Sequence, residues 1–369
     1  METRFSRPQL MFMLLLCLSI SNHVFIIPHL IKDAGRDAWI SILMAYPPLV
    51  LWTFVLFLIL KSMGTVPLNQ WLNGKIGRTA SAALCWGLAV YFLLLGTLIV
   101  YDMSLNTKIF FLPKTPNPII ALSFVTLSYF AARFGLKTII YLSILLLPAV
   151  SILGHFVSIS TIDSKDYSML KPFFSEGMSA DLRGAIIVFG GSIELLLLVV
   201  LQHQLKKPLN FGTILLAMTL LVGLTFGPCV GSLTAFGPNI AGSLRFPAFE
   251  QWRLVSLGEY ISHVDFLAVF QMMSGSLTRT ALQLYLISEL VGIRSPVWKQ
   301  SAMIVAALVM ASPSLLKLSD LWVQRMIHDH FYATSFIFGI AVLFILFVVS
   351  RLPERGKVRR NGNNRRNAV

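Results

Sequence analysis

Glu194 is the residue whose position in this sequence most clearly predicts chemistry, because it lies near the middle of a long apolar segment. That segment covers residues 184–205, and Gly190, Gly191 and Ser192 come shortly before the acid. Hydrocarbon does not solvate an ionised carboxylate, so acids at this depth usually face a bundle interior or a cavity. Glycines lower helix propensity, and an interrupted helix presents free backbone N–H groups to an anionic ligand. We therefore expect Glu194 to receive an ammonium group or carry a proton, and the Gly-Gly-Ser stretch to bind a ligand carboxylate.

A structural role is the alternative for each of these residues. Hydroxyl groups of a neighbouring helix can bond a carboxylate such as Glu194, and glycines in membrane helices also permit close packing. In either case we expect the Glu194 side chain to face the interior of the bundle.

A second polar group interrupts the first apolar segment. Ser19, Ser21, Asn22 and His23 lie near its middle, and Pro28 follows. Unsatisfied polar groups are costly in hydrocarbon, so this cluster is hard to place against lipid. The four residues cannot share one helical face, so either the helix breaks or some hydroxyls bond backbone carbonyls. A buried histidine can contact a ligand or be neutral and structural, and both roles are open for His23.

A polar stripe runs along a later apolar segment, where Gln271, Ser274 and Thr278 recur at i, i+3 and i+7 beside Gly275. This spacing places the three polar side chains on one helical face. From the spacing alone, interhelical hydrogen bonding is the expected role of this stripe.

Other polar groups receive structural interpretations. Arg279 follows Asp265 by about 21 Å along a helix axis, too far for a direct pair, and we expect it to extend towards the cytoplasm. Asp102 is expected at the membrane interface. The His-Asp-His triplet at 328–330 is weak evidence for a metal, and no metal site is predicted. No nucleotide-binding loop, nucleophile elbow or HExxH motif is present, so neither enzymatic activity nor a cofactor is expected.

The composition is that of an integral membrane protein. Of 369 residues, 56% are hydrophobic and 12% are charged, whereas about a quarter of the residues in soluble domains are charged. The net charge of +14 does not predict nucleic acid as a partner, because the basic residues lie at helix ends and in the C-terminal tail, as the positive-inside rule expects. Three cysteines lie in apolar runs without metal-ligand spacing and are interpreted as small buried residues: Cys17, Cys85 and Cys229.

Ten segments are predicted as transmembrane helices from their length and apolar character. The first has a basic start, as a signal peptide does, but lacks a small-residue cleavage pattern and is interpreted as a spanning helix. Most Lys and Arg residues fall on one side if both termini are cytoplasmic. We predict a transmembrane domain over 1–351 and a basic, disordered cytoplasmic tail over 352–369 that can lie on anionic lipid. The predicted spans are 8–31, 38–60, 80–107, 117–134, 138–160, 184–205, 211–234, 261–287, 297–315 and 333–351.

Two connections on the predicted outer side are longer than linkage alone requires, at 161–183 and 235–260. The second mixes aromatic and charged residues in a way that suits a short amphipathic helix over the extracellular mouth. An interfacial loop anchored by Trp252 and Tyr260 is the alternative.

The first and sixth predicted spans are both interrupted halfway, and they begin successive halves of the core. One enters the membrane from the inside and the other from the outside. This pattern is typical of a LeuT-like five-plus-five inverted repeat, in which a ligand binds at the midplane between two broken helices. We therefore expect an all-α integral membrane protein of about ten transmembrane helices with this repeat.

Several motifs resemble those of one known family: RPQL at 7–10, PHLIKDAGRDAW at 28–39, GGSIE at 190–194, KKP at 206–208 and HVDFLAVFQ beginning at His263. In their order and spacing they are similar to the B subunits of nutrient germinant receptors of bacterial endospores, which are spore germination permeases of the amino acid–polyamine–organocation superfamily. The resemblance covers nearly the whole chain, and AGRDAW is its strongest element.

This resemblance implies a subunit of the spore inner membrane that binds a small, amino acid-like nutrient and signals to an A subunit and a lipoprotein C subunit. It also implies that the eighth span packs against the first and can complete a cation site there. Relatives generally carry glycine in the first-span break where this chain has His23, a difference that can change ligand choice or abolish binding. An ion-coupled amino acid transporter and a scaffold without a ligand are the alternatives. The predicted ligand-binding residues are Glu194, Gly190, Gly191, Ser192, Ser21, Asn22, His23, Ser274 and Thr278.

Overall fold

The computed structural model describes residues 4–256, 264–292 and 295–353. Within these ranges the regular structure is helical, apart from an isolated bridge between Phe5 and Leu205. Three sequence predictions lie outside the described residues: the tail from 354 onwards, the anchoring role of Tyr260, and the start of the motif at His263.

Helices occupy each interval that the sequence predicts to span a membrane, as far as that interval is described. The first span is helical throughout but changes type at a π-helical turn, and the last span has a similar turn at its start. The helices are α1 Arg7–Ile20, a π turn Ser21–Phe25, α2 Ile26–Ala34, α3 Ala38–Met63, α4 Leu68–Ile76, α5 Arg78–Phe110, α6 Asn117–Arg133, α7 Leu136–Ser160, α8 Met178–Ser192, a 3-10 turn Ile193–Leu196, α9 Leu197–Leu201, α10 Phe211–Ser243, α11 Pro247–Glu250, α12 Phe266–Leu290, α13 Pro296–Leu315, α14 Asp320–Met326, a π turn Ile327–Phe331 and α15 Tyr332–Arg351.

Six of the described helical stretches are long and apolar enough to cross a membrane, judged by length and composition. They make the chain an integral membrane protein. One of them, Arg7–Met63, has 57 residues, far more than the roughly 20 that one crossing needs. Its backbone leaves the helical region at Gly35, where φ is 49°, so α2 and α3 are separate helices.

Hydrogen bonds between distant segments define the two ends of the bundle. At the lower end, Phe5 accepts from the backbone N–H of Lys206 at 2.8 Å. There the Gln202 amide also donates to the carbonyls of Leu60 and Gly64 at 2.6 and 2.7 Å. These two carbonyls belong to the C-terminal end of α3, where helix carbonyls lack partners within the helix. The opposite end, which carries Asp37 and which the sequence predicts to be outside, is called the upper end.

At the upper end, Asp37 holds the connection between α7 and α8. Its buried carboxylate accepts the backbone N–H groups of Phe174 at 3.1 Å and Glu176 at 2.8 Å. Phe174 has a φ of 56°, a conformation that non-glycine residues rarely adopt. The Arg36 guanidinium donates to the Lys171 carbonyl in the same connection. The AGRDAW motif therefore has a structural role, because it fixes a strained connection at this end.

Replacing Asp37 by alanine should loosen this connection. The substitution leaves the N–H groups of Phe174 and Glu176 without their acceptor, and we expect a loss of about 1–3 kcal/mol in the free energy of unfolding. Thermal unfolding of the purified protein and the rate of proteolysis within residues 171–177 measure the effect. Asp163→Ala, at an exposed position of the same connection, serves as the control. Unchanged unfolding and cleavage in Asp37→Ala would show that the carboxylate does not hold the connection.

Candidate functional site

The sixth span stays helical through its glycine pair and changes to a 3-10 turn only at Ile193. A Cβ at Gly190 would collide with the Tyr332 carbonyl of α15, and a Cβ at Gly191 would collide with Ile26 of α2. The Ser192 hydroxyl donates to the Val188 carbonyl at 2.8 Å, within its own helix. The expected unwinding at the glycines is not observed, because here they allow close packing of three helices.

Glu194 lies in the 3-10 turn and forms a buried ion pair with Arg279 of α12. Arg279 Nε donates to Glu194 Oε1 at 3.0 Å, and Nη2 donates to the other carboxylate oxygen. Gln283, one turn further along α12, donates to Oε1 at 3.0 Å. The Arg279 side chain is 1% exposed and that of Glu194 is 4% exposed. The prediction that Glu194 faces inward is confirmed, whereas the prediction that Arg279 extends to the cytoplasm is wrong.

The pairing with Glu194 explains why Arg279 stays inside the bundle. A guanidinium and a carboxylate that form two parallel hydrogen bonds make a strong pair of defined geometry. Removing either charge from water is expensive, so a buried ion depends on its partner. In this conformation the Glu194 carboxylate already has a cation and an amide as partners. A ligand ammonium would have to displace Arg279 to reach it.

The first span contains the π turn Ser21–Phe25 in place of a full break. Ser21 and Asn22 are buried on this turn, with 8% and 2% exposure. His23 Nδ1 lies 2.6 Å from the Ser19 carbonyl. A carbonyl oxygen can only accept, so Nδ1 carries the hydrogen and, in the neutral ring, Nε2 is the acceptor. The predicted polar cluster therefore remains, but on a widened helical turn.

The polar stripe of the eighth span is mostly satisfied by its own helix. The Ser274 hydroxyl donates to the Phe270 carbonyl at 2.7 Å, and the Thr278 hydroxyl donates to the Ser274 carbonyl at 2.8 Å. A Cβ at Gly275 would lie 3.2 Å from the Leu16 carbonyl, so the glycine lets α12 approach α1 closely. The stripe thus supports packing between the first and eighth spans.

A cavity of about 300 Å³ lies beside the π turn. Its walls come from α1, α7 and α10, and Ala248, Gln251 and Trp252 close part of it towards the upper end. Of the polar cluster of the first span, Ser19 and His23 line the cavity, whereas Ser21 and Asn22 do not. Glu194, Gly190 and the other predicted residues of the sixth span do not line it.

Two glycines of α10 create space on one side of this cavity. Gly223 and Gly227 are four residues apart, so they share a helical face, and both line the cavity. A Cβ built at either position would meet nothing within 4 Å. These glycines are therefore not required for close packing, and a side chain at either position would project into the cavity.

The segment that covers the cavity is attached to other helices by charged residues. The short helix expected over the upper mouth is present as α11, and Trp252 beyond it is buried against the cavity. Just before α11, Arg245 pairs with Asp102 of α5 and with Asp320 at 3.4 Å. Asp102 is 4% exposed, so its side chain faces the inside of the bundle, while its position at the membrane interface stays a prediction. Its carboxylate is buried because it is the partner of Arg245.

The histidine triplet near the start of the last span has another role. His328 Nε2 lies 3.1 Å from Asp33 of α2, and its ring stacks on His29 with centroids 5.8 Å apart. Within the described ranges no group of three His, Cys, Asp or Glu side chains could hold a metal ion. The triplet therefore connects the last span to the first. Cys17, Cys85 and Cys229 are buried and free.

Comparison with known proteins decides the family. The family model described as spore germination protein matches residues 4–316. Spore germination protein XB of Bacillus anthracis is 32% identical over 339 residues, which cover 91% of this chain and 95% of that protein. The chain belongs to the spore germination protein family. Two Bacillus subtilis (strain 168) relatives of this family are more distant. Putative spore germination protein YfkT is 23% identical over 70% of this chain and 71% of that protein, and spore germination protein KB is 22% identical over 77% of each.

Membership confirms the resemblance found in the motifs, while the geometry adds residues that sequence reasoning missed. The partner of Glu194 was missed, although an arginine within an apolar span is itself a signal of a buried pair. The cavity glycines, Gly223 and Gly227, gave no signal, because their importance depends on what surrounds them in space.

Removing one member of the ion pair should cost more than removing both. Arg279→Met leaves the Glu194 carboxylate buried without a cation, and we expect a loss of about 3–5 kcal/mol in the free energy of unfolding. In the double variant Glu194→Gln/Arg279→Met no charge remains buried, so a large part of this loss should be recovered. Thermal and denaturant unfolding in detergent measure all three proteins.

The pair of Glu289 and Lys299 is the matched control. Its side chains are 26% and 33% exposed, so Lys299→Met should cost at most about 1 kcal/mol. Equal losses in Arg279→Met and in the Glu194→Gln/Arg279→Met double variant would contradict a compensated buried pair.

Proposed function

We propose that this chain is the B subunit of a spore germinant receptor in the spore inner membrane. It binds a small nutrient and signals to an A subunit and a lipoprotein C subunit. The observation that carries the proposal is the cavity beside the π turn. Its volume of about 300 Å³ lies at the small end of the range for ligand pockets, which is roughly 300–1,000 Å³.

His23 is the predicted residue best placed to contact the nutrient. Ser21 and Asn22 directly precede it on the same π turn, so a ligand that moves the backbone at His23 also moves them. The scaffold alternative would be favoured if His23 blocked the pocket, whereas His23 lines the wall of a cavity of about 300 Å³. In this proposal the other predicted site residues act indirectly, by holding the helices around the cavity in place. They are Glu194, Gly190, Gly191, Ser192, Ser274 and Thr278.

Contacts from the π turn give a route for the signal. The Phe25 carbonyl at the end of the turn accepts the Tyr332 hydroxyl of α15 at 3.3 Å. Ile26, the next residue, packs against Gly191 of α8. A ligand that binds one conformer of this turn more tightly than another shifts the bundle between them in proportion to that difference in affinity. The shift then reaches the first, sixth and last spans together.

The LeuT-like inverted repeat with ten spans is part of this proposal. The irregular turns Ser21–Phe25 and Ile193–Leu196 support it, since they occur midway along the first and sixth spans.

Filling the cavity should abolish the nutrient response. Gly227→Leu places a side chain in the cavity, where a Cβ meets nothing within 4 Å, so the ligand should be excluded without a clash within the protein. Gly87→Leu in α5 is the control, because a Cβ there also meets nothing within 4 Å and the residue lies outside the cavity. We expect the rate of germination in a rich nutrient mixture to fall at least about tenfold in Gly227→Leu spores only. The strain lacks its other germinant receptors, and protein abundance is measured in parallel.

Normal germination of Gly227→Leu spores at normal protein abundance would rule out this cavity as the nutrient site.

Transport is tested separately from sensing. The purified protein in liposomes, without partner subunits, should show no counterflow of labelled amino acids, since a sensor needs only a shift between conformers. Counterflow that Gly227→Leu abolishes and Gly87→Leu leaves intact would replace the receptor proposal by the transporter alternative.

A further inference from the structure

Lys165 is a cation at the cavity without a carboxylate partner among the described residues. It follows α7 and lines the cavity near the upper end. Its Nζ donates to the Ser158 carbonyl at 3.1 Å, and no described carboxylate lies within 4 Å of it. Partial burial lowers the pKa of this ammonium group. An anion placed beside it would restore interactions that the charge has lost with water.

Among the described residues, the rest of the cavity lining carries no carboxylate. None of its described lining residues is Asp or Glu. His155 resembles His23, since its Nδ1 lies 2.7 Å from the Ser151 carbonyl and therefore carries the hydrogen. Glu194 is paired with Arg279 and does not line the cavity. A ligand ammonium would therefore find no carboxylate here, whereas a ligand carboxylate would find a cation.

The remaining surface suits an uncharged ligand body. Apolar side chains of α7 and the buried ring of Trp252 form much of the wall. Gly223 and Gly227 of α10 have no side chain, so they leave space opposite these groups. The remaining uncharged polar side chains of the lining are hydroxyls, such as that of Ser151, and the amides of Gln251 and Gln271, all of which can donate or accept.

We propose that this cavity binds small carboxylate anions, with the carboxylate at Lys165 and an uncharged body between α7 and α10 against Trp252. The inference rests on the proposed function for its biological meaning, because it names the chemical class of the nutrient that the receptor would sense. A carboxylate that binds Lys165 at the upper end does not have to break the ion pair between Glu194 and Arg279. A charge-assisted hydrogen bond of this kind is stronger than a neutral one, so the carboxylate should dominate affinity.

The test compares carboxylates with matched amides. Full-length protein in nanodiscs of zwitterionic lipid is titrated calorimetrically with propionate, L-alanine, propionamide and L-alaninamide. We expect propionate and L-alanine to bind, and each amide to bind at least about tenfold more weakly than its carboxylate. Lys165→Met should remove binding of both carboxylates, and Lys165→Arg should retain it. Lys171→Met, at a loop lysine outside the cavity, should bind as the parent does.

Three results would overturn the inference: binding of neither carboxylate, amides that bind as tightly as the carboxylates, or unchanged carboxylate binding by Lys165→Met. Thermal unfolding of each variant shows whether a loss of binding reflects a loss of fold, and Lys165→Arg controls for the position itself.

The two proposals fail in different ways. If Gly227→Leu spores do not germinate but Lys165→Met spores germinate normally, the receptor function stands and the carboxylate anchor is wrong. If purified protein binds carboxylates through Lys165 but Gly227→Leu spores germinate normally, the binding site stands and its role as the nutrient sensor is wrong.

Discussion

The ion pair between Glu194 and Arg279 is the interaction on which the centre of this bundle depends. Each charge is buried, and each would be expensive to hold in an apolar interior without the other. The 3-10 turn of the sixth span and the face of α12 must therefore stay in register, because the guanidinium fits the carboxylate in one geometry. Gln283 adds a third contact to the same oxygen as Arg279 Nε. The first span packs against α8 of the sixth span and against α12, so its π turn is held in relation to them.

This pairing moves the candidate ligand site away from the acid. Without Arg279, the Glu194 carboxylate would be well suited to bind an ammonium group. With Arg279 bound, both of its oxygens already accept hydrogen bonds from the guanidinium. The open space lies one layer further out, between α7 and α10, where His23 reaches it from the π turn. The upper cover is held by Arg245 and Asp102, a second charged pair between segments distant in sequence. In the proposed mechanism, ligand occupancy and helix position are therefore related through the π turn rather than through direct contact with Glu194.

The sequence predicts the helices well because apolar length and interruptions are local properties. It also predicts correctly that Glu194 faces inward, since an acid in an apolar span avoids lipid whichever residue is its partner. The partner could not be predicted from the sequence, because Arg279 is 85 positions away. Neither helix's own sequence determines which of its residues lie opposite those of the other helix. The pairing of Asp102 with Arg245 could not be predicted either, because these two residues also lie on segments that are distant in the sequence. The space beside Gly223 and Gly227 could not be predicted, because a missing Cβ matters only in relation to neighbouring helices.

The most direct test of this account is a structure of the receptor with its nutrient bound, determined by cryo-electron microscopy in nanodiscs. The account predicts ligand density between α7 and α10 beside His23, with the Glu194–Arg279 pair intact. Density between Glu194 and Arg279, with their side chains separated by the ligand, would contradict it.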